Sequence, residues 1–337
     1  MQLRWRLLGS VSLIVLLLLD VVLAQPPAVP RVGLVTDVGK INDGTFNELA
    51  YRGMMRAVAD FKLQSAFIET QQPTDYEKNI EQLIAAGHSM IITVGFMLGE
   101  ATQKMATKHP QVRFAIVDFA YETALPNVVG LLFAEEQAGF LAGVLAGLMT
   151  RNKTVGMVAG MALPPVVRFR QGYDAGVRYV CEPCEVLGVY IDSFTDPARG
   201  KTAALSQIDE GADVVFGGGG TTGSGAILGA AQAGALVIGV DQDEYITTFK
   251  KGAVRGANRL LSSAMKRVDN AVYGAIQRAV EGTFTSGTQV FNASNDGIGL
   301  APFHDAAAAV PPAVQARLQE VAGGLKSGAI TVKTGER

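Results

Sequence analysis

The sequence predicts an α/β fold of two similar lobes with a ligand cleft between them. Three observations carry that expectation. First, two stretches echo each other at a constant offset of 123 residues: Val32-Gly33-Leu34-Val35 recurs as Val155-Gly156-Met157-Val158, and Phe67-Ile68-Glu69-Thr70 as Tyr190-Ile191-Asp192-Ser193. The identities are sparse, but four apolar runs, each followed by a helix-like run, stay in step without a gap. Second, these runs are short and continuously apolar, as expected of parallel strands covered by helices on both faces. Third, 337 residues, 48% of them hydrophobic and 18% charged, suit two domains that each bury a core.

Taken in order, residues 1–24 read as a secretory signal peptide. Met1 to Arg6 is a short basic segment, the run to Leu19 is mostly apolar, and Val22-Leu23-Ala24 sets up cleavage after Ala24. An uncleaved anchor would need a longer run than this one, which Asp20 interrupts. Residues 25–30, Gln25-Pro26-Pro27-Ala28-Val29-Pro30, form a stiff linker with no cysteine to accept a lipid.

The first half then predicts strands over 32–36, 66–69, Met90–Val94, Arg113–Val117 and Val128–Phe133. Helices are expected over Phe46–Phe61, 76–86 and 100–108, with capping boxes at Thr45-Phe46-Asn47-Glu48 and Thr74-Asp75-Tyr76-Glu77. A Gly/Ala-rich helix at Glu135–Met149 leads into the second half. Strands there are expected over 155–159, 186–191, 214–216 and 237–240, alternating with helices over 166–180, 199–210 and 223–233. A long helix over 260–281, short strands at Gly287–Phe291 and Ile298–Leu300, and a closing helix over 312–326 complete the chain. This assigns 31–130 with 254–285 to the N-terminal lobe and 131–253 with 286–337 to the C-terminal lobe, so the chain crosses between them more than once.

Composition removes several function classes. Net charge is −2, and no stripe of Lys/Arg interleaved with aromatics argues for nucleic acid. His88, His109 and His304 are scattered and read as surface residues, and no metal-spaced cluster or Ser-His-Asp arrangement stands out. Both cysteines sit in Cys181-Glu182-Pro183-Cys184, after a helix and before a strand. A redox pair usually opens a helix, so a small structural disulfide or two idle thiols is the reading.

In an open parallel sheet, ligands bind beyond the carboxyl ends of the strands. Asp37 with Asn42 and Asp43, Gly95-Phe96, Asp118, the glycine run from Gly217 to Gly220, and Asp241 occupy those positions. Asp118 and Asp241 fall in the same register of the echo, as charged acceptors for ligand hydroxyls or as caps of the next helix. Phe46 and Phe169 match at two helix starts, and Phe216 ends a strand; these rings either stack on a planar ligand or pack in the core. Gly218-Gly219-Gly220-Thr221-Thr222-Gly223 fits the dinucleotide pattern G-x-G-x-x-G, with Asp241 placed 18 residues beyond Gly223. It lies on the third strand of its half rather than the first, and nothing nearby suggests the hydride chemistry of an NAD enzyme. Close approach of backbone to a ligand is the better reading of these glycines.

Asp37-Val38-Gly39-Lys40-Ile41-Asn42-Asp43-Gly44-Thr45-Phe46-Asn47, with 217–225, Ile238-Gly239-Val240-Asp241-Gln242-Asp243 and Ser263-Ala264-Met265-Lys266-Arg267-Val268-Asp269, closely resembles the basic membrane protein (BMP) family. That family comprises ABC-transporter substrate-binding proteins, among them purine nucleoside receptor lipoproteins. The resemblance runs from about Arg31 to Val332 and keeps the order of four motifs. It implies two Rossmann-like lobes in a type I periplasmic-binding-protein fold, no catalysis and no cofactor. A monomer would capture a nucleoside in the periplasm for an inner-membrane ABC permease; a sugar or small-metabolite sensor would share the fold. Carried over by motif, Asp37, Asn42, Asp43 and Phe46 would recognise and stack on the base. Asp118, Asp241 and Lys266 would hold ribose hydroxyls, Lys266 also neutralising Asp241, with Gly218 and Gly219 as close backbone. Gln25 stands where the family's lipid-acceptor cysteine would be, so a freely periplasmic protein is expected.

Overall fold

The continuous apolar runs assemble into two six-stranded sheets. In the computed structural model, which describes residues 30–334, the elements are β1 (Val32–Val38), α1 (Phe46–Phe61), β2 (Ser65–Thr70), α2 (Tyr76–Ala85), β3 (Met90–Val94), α3 (Gly99–Lys108), β4 (Arg113–Val117) and β5 (Val128–Phe133). There follow α4 (Glu135–Met149), β6 (Thr154–Ala159), α5 (Pro164–Val180), β7 (Glu185–Tyr190), α6 (Pro197–Asp209), β8 (Val214–Gly218), α7 (Gly220–Ala233) and β9 (Leu236–Asp241). The last elements are β10 (Leu260–Lys266), α8 (Val268–Val280), β11 (Gly287–Phe291), β12 (Ile298–Leu300) and α9 (Pro312–Ser327). The signal peptide, the cleavage site after Ala24 and the linker up to Val29 lie outside the described residues.

The sheet orders are β11-β5-β4-β3-β1-β2 and β12-β10-β9-β8-β6-β7, so the two lobes have the same topology. Pairing is parallel throughout, except that β12 runs antiparallel to β10. Both faces of each sheet are covered, which explains why β1, β3, β4, β6, β8 and β9 are almost wholly buried and carry no period-2 alternation.

The echo extends to helix packing. A Cβ at Gly53 of α1 would lie 2.3 Å from the Asp269 carbonyl oxygen of α8, and one at Gly176 of α5 would lie 2.1 Å from the Phe140 carbonyl oxygen of α4. Each lobe therefore seats one helix backbone against another where only glycine fits. Gly139, Gly143 and Gly172 repeat this between α4 and α5, which accounts for the Gly/Ala-rich composition of α4.

The structure corrects two expectations. Leu260–Lys266 is the strand β10 in the second sheet, not the first turns of a long helix, and only Val268–Val280 is helical. Its buried run, without alternation, reads no differently from a helix segment. β11, assigned to the C-terminal lobe, pairs with β5 in the first sheet instead. The expected boundaries at 254–285 and 286–337 thus shift: β10 belongs with the second sheet, while α8 and β11 belong with the first. Within the described residues the chain crosses between lobes three times, at Ala134 after β5, at Arg267 after β10, and at Asn292 after β11.

The capping boxes also differ. Thr45 makes no side-chain cap; Asp43 accepts from the backbone N–H of Thr45, Asn47 and Glu48 at 2.8, 3.1 and 3.1 Å. Half of the box survives in shifted form, with the Glu48 carboxylate accepting from Gly44 N–H at 3.0 Å. Before α2, Pro73–Asp75 forms a 3₁₀ turn and no side-chain cap is made. Cys181 and Cys184 form a disulfide between α5 and β7. His88, expected at the surface, is buried with Nδ1 2.9 Å from the Leu83 carbonyl oxygen.

Candidate functional site

The carboxyl ends of both sheets face one interlobe cavity of about 450 Å³. Ten of the eleven expected residues line it: Asp37, Asn42, Asp43, Phe46 and Asp118 from the first lobe, and Phe169, Gly218, Gly219, Asp241 and Lys266 from the second. Phe216 does not. It is wholly buried in the second-lobe core, its ring 5.3 Å from Tyr173 and 6.2 Å from Phe169. Phe216 stands two residues short of the β8 terminus that reaches the cavity, and its side chain lies on the sheet face covered by α5.

Asp118 directly follows β4 and Asp241 ends the equivalent strand β9; both adopt the left-handed backbone region, with φ of 67° and 65°. Non-glycine residues rarely sit there, and such strain clusters at binding sites. The strand turns sharply at each aspartate and delivers its carboxylate into the cavity. Their surroundings then diverge. Asp118 is 2.7 Å from Lys266 Nζ, while the Asp241 carboxylate accepts no hydrogen bond from the described residues. Burial pushes the Asp241 carboxyl up to about 7, with Lys266 opposing the shift and Asp118 and Asp43 adding to it. Burial likewise pushes the Asp118 carboxyl up to about 6 against the pull of Lys266.

Lys266 is 2% exposed and sits at the cleft floor, beside the crossing at Arg267. Its ammonium contacts Asp118 at 2.7 Å and Glu135 at 2.8 Å, and Arg168 Nε reaches the other Glu135 oxygen at 2.7 Å. Burial disfavours the charged amine, yet Asp118, Glu135 and Asp241 together hold its proton more tightly than usual. The direct partners are Asp118 and Glu135 rather than Asp241, so Lys266 ties β10 to the end of β4 across the lobe boundary and to α4 within its own lobe. Phe46, Phe133 and Phe169 surround the ammonium, with centroids 5.2, 5.0 and 5.9 Å from Nζ.

At the cavity's first-lobe wall, Asp37 accepts from Tyr76 OH, and from Val38 N–H at 2.6 Å. Burial raises its pKa against those two hydrogen bonds. The Asp43 carboxylate is committed to α1 as its cap, and burial raises its pKa too. Asn42 is exposed and lines the cavity mouth.

The glycine run serves chain packing as much as ligand access. Gly219 and Gly220 have φ of 85° and 64°. A Cβ on Gly219 would meet Gly160 N at 2.8 Å, and one on Gly220 the Phe194 carbonyl oxygen at 2.5 Å. A side chain at Gly223 would strike the backbone of Gly218 at 2.7 Å, so the spacing closes a strand–helix corner.

Glu135, Arg168 and the cavity-lining Phe194 escape the sequence reading. Phe194 carries a signal: it is the echo partner of Gln71, which also lines the cavity, one position beyond the match that ends at Thr70 and Ser193. Glu135 carries none, because an acid opening a helix reads as a dipole partner. No cluster of three or more His, Cys, Asp or Glu suits a metal among the described residues, and none of their helices is long and apolar enough to cross a membrane.

Comparison with known proteins agrees with this geometry. A family model described as ABC transporter substrate-binding protein PnrA-like (Bmp) matches residues 31–324. The ABC transporter nucleoside-binding protein BmpA of Lactococcus lactis subsp. cremoris (strain MG1363) is 31% identical over 284 residues, covering 80% of this chain and 81% of its own. A CD4+ T-cell-stimulating antigen of Listeria monocytogenes serovar 1/2a is 30% identical over 81% of this chain and 80% of its own. A solute-binding protein of an ABC transporter system from Aeropyrum pernix K1 superposes with a TM-score of 0.83 at 26% identity, over 91% of this chain and 94% of that one. A transcriptional activator of the comK gene from Bacillus halodurans shares the fold, with a TM-score of 0.73 at 20% identity over 88% and 98% of the two chains. The chain belongs to the PnrA-like Bmp family of ABC-transporter substrate-binding proteins, which are binding proteins and not enzymes.

Proposed function

We propose that this protein captures a purine nucleoside, or a closely related small ligand, in the interlobe cavity and delivers it to an ABC permease. The observation that carries this is the Asp118/Asp241 pair, two carboxylates in strained backbone aimed at one cavity from opposite lobes. A carboxylate accepting from vicinal hydroxyls makes a strong, oriented contact, and Asp241 has its acceptor capacity free of the described residues. Phe46 and Phe169 offer aromatic faces for a planar base, and Asp37 and Asn42 offer polar edges. The nucleoside-binding relative from Lactococcus lactis supports the same reading. The protein works as a monomer, and the segment 1–24 directs it to the periplasm, with cleavage after Ala24.

Isothermal titration of the mature chain with adenosine, guanosine, inosine and ribose tests the proposal. Saturable binding of a nucleoside with much weaker ribose binding is expected; no heat with any nucleoside refutes it. A sensory role has one observation in its favour, since the same frame occurs in a transcriptional activator. Nucleoside uptake by cells lacking the protein separates the two: uptake lost means transport, uptake intact means sensing.

A further inference from the structure

Beyond the cavity, the lobes touch at a second place whose residues do not line the site. Thr247 Oγ1 of the second lobe donates to the Gly44 carbonyl of the first at 3.0 Å. Gln242 bridges the same boundary, its Nε2 donating to the Thr45 carbonyl at 3.5 Å and its Oε1 accepting from Arg52 Nη1 at 3.2 Å. Gly44 and Thr45 directly precede Phe46, and Arg52 lies within the first turns of α1. Gln242 in turn is directly beside Asp241. Neither Gln242, Thr247, Gly44 nor Thr45 lines the cavity, while Asp43, Phe46 and Asp241 beside them all do.

Both sides of this contact are built in advance. On the second lobe, Glu244 is fully buried, accepting from Val240 N–H at 3.2 Å and donating its own N–H to Ser263 Oγ at 3.1 Å. Asp243 accepts from Tyr245 N–H at 3.2 Å and lies 2.6 Å from His304 Nε2, which clamps the segment before Thr247. On the first lobe, the three bonds to Asp43 and the Glu48–Gly44 bond fix the carbonyls that receive the latch. Rigid donors thus face rigid acceptors across a boundary with no covalent link there, since the three crossings lie elsewhere.

We propose that Gln242 and Thr247 form an interlobe latch, and that they are positioning residues which slow ligand release by holding α1 against the end of β9. Because Phe46 and Asp241 adjoin the latch along the backbone, a ligand gripped by those two side chains sets the latch donors opposite their acceptors. Opening the lobes must break the latch and the ligand contacts together. The effect on ligand release rests on the nucleoside reading above; the effect on lobe separation does not.

The test uses the full mature chain carrying spin labels at Lys78→Cys on α2 and Lys201→Cys on α6, both exposed and one on each lobe. Interlobe distances are measured without ligand, and adenosine dissociation is followed by stopped flow. Thr247→Val and Gln242→Leu are expected to broaden the distance distribution toward larger separations, at unchanged melting temperature. Thr247→Val is expected to speed adenosine release by roughly three- to tenfold, the range of one neutral hydrogen bond, and Gln242→Leu by more, because it loses two bonds, one of them from the charged Arg52 guanidinium. Thr247→Ser keeps the hydroxyl and restores wild-type behaviour. Distances and release rates equal to wild type in both variants overturn the latch. If the wild-type chain binds no nucleoside, the nucleoside reading falls while the distance measurement still decides the latch. If one variant fails to fold, the other carries the test.

Discussion

Replacing Lys266 by Met should be among the most damaging single changes to this fold, and its size can be worked from the cleft floor. The side chain is 2% exposed and holds two carboxylates at 2.7 and 2.8 Å. Glu135 keeps Arg168 at 2.7 Å when the lysine is gone, so the direct partner lost is that of Asp118, and Asp241 loses its nearby cation as well. Removing one partner of a buried ion pair typically costs about 3–5 kcal/mol, and the surviving Arg168 contact favours the lower end. At about 2–4 °C per kcal/mol for a unit of this size, the melting temperature should fall by roughly 10 °C at pH 8. The deficit depends on pH with a definite sign. Asp118 already has its carboxyl raised to about 6 with Lys266 present, and losing the cation raises it further. Below that value the stranded carboxyl takes up a proton and becomes neutral, so the loss shrinks as pH falls from 8 to 5. Lysine itself stays protonated throughout this window and adds no slope. Thermal melts of Lys266→Met, Asp118→Asn and the double variant at pH 5 and pH 8 make a double-mutant cycle. Most of the loss should be recovered in the double variant. If Lys266→Met melts with wild type, or if the two losses simply add, the reasoning about a stranded charge is refuted.

Other consequences can be checked on the same material. Asp241→Asn should weaken nucleoside binding by roughly tenfold to a hundredfold, the range of a hydrogen bond to a charged group, while raising the melting temperature because a buried ionised carboxylate is gone. Wild-type affinity should fall below about pH 7, where Asp241 takes up a proton, by up to about tenfold per unit, and calorimetry from about pH 5.5 to 8.5 should find the Asn variant flat down to about pH 6, where Asp118 begins to take up its own proton. Phe46→Leu should cost about 1–3 kcal/mol of binding with little effect on melting, whereas Phe216→Leu should cost about 1–2 kcal/mol of stability and leave affinity alone; equal effects in titration and melting would contradict that division. Gly220→Ala should lose about 1–2 kcal/mol to the left-handed φ of 64°, and displace the Phe194 loop, so melts and titrations should both worsen.

Most of the architecture was legible because parallel strands buried on both faces leave continuous apolar runs, and the echo placed them twice. Legibility failed where the chain changes lobe. β10 and α8 are consecutive in sequence but belong to different lobes, and the buried strand has no period-2 alternation that would mark it off from the helix after it. The exchange of β11 into the first sheet depends on its pairing with β5, Gly287 opposite Val129 and Phe291 opposite Phe133, a long-range choice that no local pattern encodes.

The site was legible where position alone decides, as for the aspartates and glycines at strand ends. It was not legible where a side chain's direction decides. Phe216 turns into the core, Asp43 turns back to cap α1, and Lys266 chooses Asp118 and Glu135 over Asp241. Each outcome depends on how a side chain meets neighbours that the linear sequence does not place beside it.

The three crossings also govern the order in which this protein can be built. The apolar face of α1, with Met54 and Ala57, waits for Val272 and Ile276 of α8, and the first sheet lacks its β11 edge until Phe291 has been made. A ribosome therefore releases most of the second lobe before the first can close its core, and no contiguous fragment corresponds to either lobe. Cutting the chain in the middle would yield two pieces that each expose a helix face meant for the other, so the two halves mature together or not at all.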